Sequence, residues 1–158
     1  MLHNDVRIFA DIHVVNLLSG RLTFVSFLLY TLSMSVRYMD IFCKIMNGEI
    51  PSNTIWEDDI VKVILDVSPR SNGHCLIIPK KHYQDLYDIE TNVLNHIMEV
   101  AKEISKLLTE KLGCDGITLE QNNGIIQEVK HFHLHVIPKY EINKTLLDVK
   151  EVYDQIKE

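Results

Sequence analysis

The sequence predicts an α+β fold with an antiparallel sheet of about five strands, one long helix and a C-terminal helix. Five segments rich in β-branched and aromatic residues do not alternate regularly with helical patterns, so a doubly wound sheet is not expected. One long stretch has helical periodicity instead, and a shorter amphipathic pattern follows the last strand segment. With 158 residues, 46% of them hydrophobic, the chain can bury a core of its own.

The first 38 residues differ in composition from the rest, and we interpret them as an N-terminal extension (1–38) before a domain at 39–158. The extension is a leader, a targeting segment or a mispredicted start. Its apolar stretch is interrupted at Asn16 and again from Ser19 to Arg21, so it is shorter than the roughly 20 residues of a membrane-spanning helix. We expect a cytoplasmic protein, and the extension leaves organellar or membrane-associated targeting open.

A short helix and three strands are predicted in the first half of the domain. The helix spans residues 41–46 and ends at the pair Asn47-Gly48. The strand segments follow at residues 54–56, 60–67 and 74–78, separated by an acidic turn and by a turn that contains Pro and Gly.

The second half of the domain begins with the long helix, from about residue 90 to residue 112, which Gly113 terminates. Two strand segments follow, at 116–121 and 131–138. The tail from 145 to 157 has the amphipathic pattern of a short helix.

The charge and cysteine content limit the classes of partner and compartment. A formal charge of -6 argues against non-specific binding to nucleic acid, and against membrane binding by the domain, because both depend on Lys and Arg. Three widely spaced cysteines, an odd number, indicate a reducing compartment.

A histidine cluster is the most informative stretch of the chain. Side chains alternate across a strand, so His131, His133 and His135 are expected on one face. A solvated polar face is one interpretation, and a metal site is another, because His-x-His on a strand presents two ligands to zinc or iron. Spacing alone leaves these open. The opposite face is expected to carry Phe132, Leu134 and Val136 into the core.

Further motifs accompany the cluster: Leu-Asp-Val-Ser-Pro at 65–69, Gly-His-Cys-Leu-Ile-Ile-Pro-Lys-Lys-His at 73–82, and Gln-Asn-Asn-Gly at 121–124. With this order and spacing the sequence resembles the histidine-triad (HIT) family over about residues 41–140. The stretch 41–51 looks more like the nucleoside phosphoramidase, or protein kinase C interacting protein-like, branch than the branch that splits dinucleoside polyphosphates.

The resemblance implies roles for four histidines. His133 attacks the phosphorus and forms a nucleotidyl-histidine intermediate, which water resolves. His135 donates to a non-bridging phosphate oxygen, while His131 and a backbone carbonyl fix the ring tautomers. His74 orients the site, with a purely structural role as the alternative.

The resemblance also implies nucleotide-binding residues. Asp66 accepts hydrogen bonds from the ribose hydroxyls, although it could simply organise its turn. Asn122 lies near the phosphate and Gln127 on the leaving-group side. The loop before the triad is two residues shorter than the family pattern, and Glu128 stands where the family has Ser or Thr. A carboxylate there repels phosphate unless it is protonated or turned away; burial that raised its pKa would make it a general acid.

A structural zinc site is a further implication, although the predicted reaction requires no cofactor. Many relatives open with Cys-x-x-Cys and bind zinc with two histidines. Here Asp40 replaces the first Cys, which leaves Asp40, Cys43, His82 and His131 as a mixed ligand set.

We therefore predict a homodimeric, adenosine 5′-monophosphoramidase-like hydrolase or transferase that acts at the α-phosphate of purine nucleotide conjugates. One alternative is a dinucleoside polyphosphate hydrolase, which Lys130 before the triad keeps open. The other is a nucleotide sensor or zinc-binding adaptor without efficient catalysis.

Overall fold

The computed structural model describes residues 40–158, apart from residue 143. The predicted extension therefore lies outside the described residues, and so does Met39. The described elements are helix α1 (Ile41–Met46), strands β1 (Thr54–Glu57), β2 (Val61–Leu65) and β3 (Cys75–Pro79), helix α2 (Thr91–Leu112), strand β4 (Gly116–Glu120), a 3-10 turn (Gly124–Ile126), strand β5 (Leu134–Lys139) and helix α3 (Val149–Lys157).

The five strands form one antiparallel sheet in the order β1-β2-β3-β5-β4, which confirms the predicted α+β class. Its two faces have different neighbours. One face packs against α2 and α3 and forms the larger core, to which β5 contributes Leu134 and Val136 as the alternation predicted. The other face carries α1, whose Phe42 and Ile45 pack on Ile64 and Leu76.

Local sequence explains how the helices begin and end. Asp40 caps α1 by accepting from the N–H groups of Phe42 and Cys43. Helix α2 ends at Gly113, whose φ of 60° lies in the left-handed region that favours glycine. Among the described helices, none has the length and apolar character needed to cross a membrane.

Two predicted boundaries differ from the structure by about three residues or more. The tail helix begins at Val149 rather than near Thr145, because Asn72 binds the Thr145 carbonyl and the Leu147 N–H and holds this stretch extended. Strand β5 begins at Leu134, not at residue 131. Continuing its register with β3 would place Phe132 opposite Pro79, which has no N–H to donate.

Candidate active site

A cavity of about 800 Å³ opens on the α1 face of the sheet. Its volume lies in the range of small-ligand sites. One wall is apolar and includes Phe42, Ile45, Ile64 and Leu76. Most of the polar lining residues come from the loop after β2, the segment between β4 and β5, and the triad.

His133 is held in one tautomer. Its Nδ1 lies 2.7 Å from the backbone carbonyl oxygen of His131. A carbonyl only accepts, so Nδ1 carries the proton and Nε2 of the neutral ring keeps its lone pair. Phe42 packs edge-on against the ring, with centroids 5.1 Å apart. The arrangement leaves the Nε2 lone pair of His133 without a hydrogen bond to any residue that the structure describes, and the ring lines the cavity.

Two hydrogen bonds in series, a relay that begins at the Arg70 backbone, fix the tautomer of His135. The Arg70 N–H donates to Nδ1 of His74, at 3.1 Å. Nε2 of His74 therefore bears a proton and donates to Nδ1 of His135, at 2.9 Å. The remaining proton of His135 is on Nε2, so this ring is a hydrogen-bond donor. Burial, together with His133, His74 and Arg70 nearby, lowers the pKa of His135 to about 4 and keeps it neutral.

This lowered pKa gives a testable dependence of stability on pH. Between the ordinary pKa near 6.5 and the folded value of about 4, the unfolded chain binds a proton that folded His135 does not. The contribution to the free energy of unfolding therefore falls by about 3 kcal/mol as pH drops from about 6.5 to about 4. Urea unfolding at several pH values should show a smaller decrease in the free energy of unfolding for His135→Asn than for the wild type. The same pH dependence in both proteins would contradict this prediction.

His131 points away from the cavity. Its ring is fully buried, and Nε2 donates to the Pro79 carbonyl at 2.9 Å. Nδ1 lies 3.3 Å from an Asp40 carboxylate oxygen and 3.6 Å from Sγ of Cys43. Of the four histidines predicted for the site, His74, His133 and His135 line the cavity, whereas His131 contributes its carbonyl oxygen.

Asp40, Cys43, His82 and His131 come together as the mixed ligand set that the sequence suggested. Sγ of Cys43 is 3.5 Å from Nδ1 of His82, and Oδ2 of Asp40 is 3.0 Å from the same nitrogen. Ligand atoms around a tetrahedral zinc ion lie roughly 3.3–3.6 Å apart, so the set fits zinc with small adjustments. The Pro79 carbonyl accepts a hydrogen bond from Nε2 of His131. This bond fixes the ring orientation and leaves Nδ1 facing the other ligand atoms, as is usual for a histidine that binds a metal.

The Asp40 carboxylate in this cluster is charged, as the binding of a metal cation requires. Burial acts to raise the pKa of Asp40, but the Cys43 N–H and the neighbouring His131 outweigh it, and the pKa is lowered. The group therefore remains an anion, as a metal ligand must.

Asp66, His74 and His135 form a second group with metal-ligand spacing. Hydrogen bonds already account for its geometry, because both nitrogens of His74 are engaged, one by Arg70 and one by His135. A metal ion here would have to break the relay that fixes His135.

Three of the four residues predicted to bind nucleotide line the cavity: Asp66, Asn122 and Glu128. Oδ1 of Asp66 accepts from the Ser68 N–H at 2.8 Å, so this residue also organises its turn. Glu128 is exposed, so the burial that would make it a general acid is absent. Gln127 is buried behind the cavity wall.

The amide of Gln127 binds backbone rather than facing the cavity. Its Nε2 donates to the Gln84 carbonyl at 2.6 Å. Its Oε1 is buried without a hydrogen-bond partner within the part of the chain that the structure describes. Gln127 thus joins the segment before β5 to the loop after β3.

Sequence reasoning missed an ion pair at the cavity rim. The Arg70 guanidinium binds the Glu120 carboxylate through two hydrogen bonds of 2.9 and 3.0 Å. Arg70 hydrogen bonding lowers the pKa of Glu120, and Asn122 donates to the same carboxylate. The two residues are 50 positions apart, and only the sheet register, which sets Glu120 beside His135, could have brought them together.

Comparison with known proteins gives consistent matches. A family model described as HIT domain matches residues 47–142. An uncharacterised HIT-like protein of Methanocaldococcus jannaschii is 42% identical over 116 residues, which are 72% of this chain and 89% of that protein. The adenosine 5′-monophosphoramidase HNT1 of Saccharomyces cerevisiae is 43% identical over 109 residues, 68% of this chain and 66% of that protein.

A solved structure of a zinc-bound protein agrees with the fold. The crystal structure of a zinc-bound histidine triad family protein from Mycobacterium smegmatis matches with a TM-score of 0.69 and 33% identity. The match covers 74% of this chain and 89% of that one.

Proposed function

This chain belongs to the HIT domain family, whose relatives include nucleotide hydrolases, and we propose that it hydrolyses purine nucleoside 5′-phosphoramidates through a nucleotidyl-histidine intermediate. The observation that carries the proposal is the 2.7 Å hydrogen bond from Nδ1 of His133 to the His131 carbonyl. It leaves Nε2 of a neutral ring as the attacking atom.

The proposed reaction has two displacements. Nε2 of His133 attacks the α-phosphorus, the P–N bond breaks, and its electron pair leaves with the amine nitrogen, which takes up a proton from solvent. Water then attacks the phosphorus and returns a proton to solvent, and the nucleoside monophosphate and the neutral imidazole are released. The covalent bond to His133 keeps the nucleotide between the same walls until this second step is complete.

The residues around His133 support both displacements. Once Nε2 is bonded to phosphorus the imidazole is cationic, and the His131 carbonyl then accepts a stronger hydrogen bond from Nδ1. Nε2–H of His135 donates to a non-bridging oxygen as charge develops there. Asp66 accepts from the ribose hydroxyls, and the apolar wall that includes Ile64 receives the base.

The direct test is incubation with a fluorogenic adenosine 5′-phosphoramidate, with and without EDTA. We expect release of AMP and amine in both conditions, and an adenylyl adduct on the protein in acid-quenched samples analysed by intact mass. Turnover that EDTA abolishes while circular dichroism shows the protein still folded, or turnover without an adduct at early times, would contradict the mechanism. Lys130 gives no support to a dinucleoside polyphosphatase, because its ammonium group binds the Gly124 carbonyl and does not line the cavity.

We further propose that Asp40, Cys43, His82 and His131 bind one structural zinc ion. Zinc at 100 times its Kd would add about 2.7 kcal/mol to the free energy of unfolding. His82→Asn should weaken zinc binding, in competition with a chromophoric chelator, by more than the roughly 10- to 100-fold that loss of a residue orienting a ligand causes. His96→Asn, on α2 outside the cluster, is the matched control. Equal zinc affinity in the two variants would contradict this site.

The predicted homodimer remains part of the proposal. Strand β4 lies at the edge of the sheet, and Leu119 on it is 41% exposed. An exposed strand edge with an apolar side chain is suited to pairing with a second copy. Light scattering after size-exclusion chromatography should give twice the mass of one chain.

A further inference from the structure

The cavity has an uncompensated negative charge. Its charged lining residues are Asp66, Arg70, Glu120 and Glu128. Arg70 and Glu120 neutralise one another through their two hydrogen bonds. Asp66 is engaged by the Ser68 N–H and belongs to the proposed ribose side. Glu128 has neither a hydrogen bond nor an ion pair with any residue that the structure describes.

Glu128 enters the cavity from a different segment than the proposed ribose contact. It belongs to the segment between β4 and β5, whereas Asp66 follows β2. Glu128 and His133 line the same cavity, and the segment that carries Glu128 leads to His133 five residues later. We place the leaving group on the side of Glu128, because the loop that carries Asp66 holds the ribose in the proposed reaction.

An apolar side chain accompanies this carboxylate. Ile126 also lines the cavity and is 65% exposed. A short apolar stem with a cationic end matches this pair, because the stem covers the isoleucine while the charge stays hydrated near the carboxylate. An anionic leaving group would meet a like charge instead.

We propose that Glu128 is a specificity-determining residue that selects phosphoramidates whose leaving amine carries a second, protonated amino group on a short alkyl stem. The inference rests on the proposed hydrolysis. When the P–N bond breaks, its electron pair stays on the departing nitrogen, which gains one proton and becomes a neutral amine. A second proton from solvent then makes the released product a diammonium ion at neutral pH. The carboxylate of Glu128 attracts the protonated amino group of the substrate and the positive charge that develops on the departing amine.

The test compares two adenosine 5′-phosphoramidates of matched length, one made from 1,4-diaminobutane and one from pentylamine. For the wild type, kcat/KM should favour the cationic substrate by up to about fivefold at low salt, and less at high salt. The preference should vanish in Glu128→Gln and reverse in Glu128→Lys. Glu110→Gln, an exposed position on α2 outside the cavity, makes the same change in net charge and should keep the wild-type ratio.

The outcomes separate this inference from the proposed function. Hydrolysis of both substrates with a ratio near one, or with the same ratio in wild type and Glu128→Gln, would overturn the charge selection and leave the hydrolase intact. Turnover of neither substrate would overturn the proposed phosphoramidase and the inference with it.

Discussion

Replacing His133 with asparagine is expected to lower kcat for an adenosine 5′-phosphoramidate by roughly 10⁴-fold, because loss of a covalent nucleophile removes the whole two-step route. Asparagine can still donate an N–H to the His131 carbonyl, so the local fold should survive. No adenylyl adduct should form in acid-quenched samples. The readouts are steady-state kcat and intact mass.

Two other histidine variants serve as comparisons in this experiment. His135→Asn keeps the nucleophile but loses the donor that His74 orients, so it should slow adduct formation without preventing it. His96→Asn, on α2 and remote from the cavity, should turn over at the wild-type rate. A His133 variant within tenfold of wild type would exclude nucleotidyl-histidine catalysis at this position.

Gly73→Ala is expected to lower the free energy of unfolding by about 2–4 kcal/mol. Gly73 has a φ of 85°, and a Cβ there would lie 2.4 Å from a Leu112 methyl carbon at the buried end of α2. The cost of the left-handed backbone and the cost of overpacking therefore add. Urea unfolding monitored by circular dichroism measures the change.

The matched control separates those two contributions. Gly48 has a φ of 76°, but a Cβ there meets nothing within 4 Å among the described residues. Gly48→Ala should therefore show only the backbone effect, about 1–2 kcal/mol. Equal losses in the two variants would mean that Leu112 moves aside freely and that packing at Gly73 is not restrictive.

The regular parts of the fold were predictable because they depend on periodic patterns. Helix α2 follows the prediction to within one residue at its start, since apolar side chains repeat at helical spacing and Gly113 ends it. The alternation of the triad segment also predicted correctly that Leu134 and Val136 enter the core. These features depend only on residues that are close together in the sequence.

The details of the site depend on contacts between distant segments, and the sequence alone could not supply them. The three triad imidazoles do not share one role, because Pro79 ends the β3 ladder and its carbonyl turns the His131 ring toward α1. The relay from Arg70 through His74 to His135 crosses strands in the same way. Gln127 looked like a leaving-group contact in sequence and is a buried connection in space.

The strand order also decides when the site can exist. Strand β5 is the last of the described strands to be synthesised, yet it lies between β3 and β4. Until it leaves the ribosome, both neighbouring strands have an open edge that can pair wrongly or recruit a chaperone. His133 and His135 arrive with the strand that closes the sheet. A nascent chain therefore gains the histidines proposed for catalysis only in the step that completes its sheet.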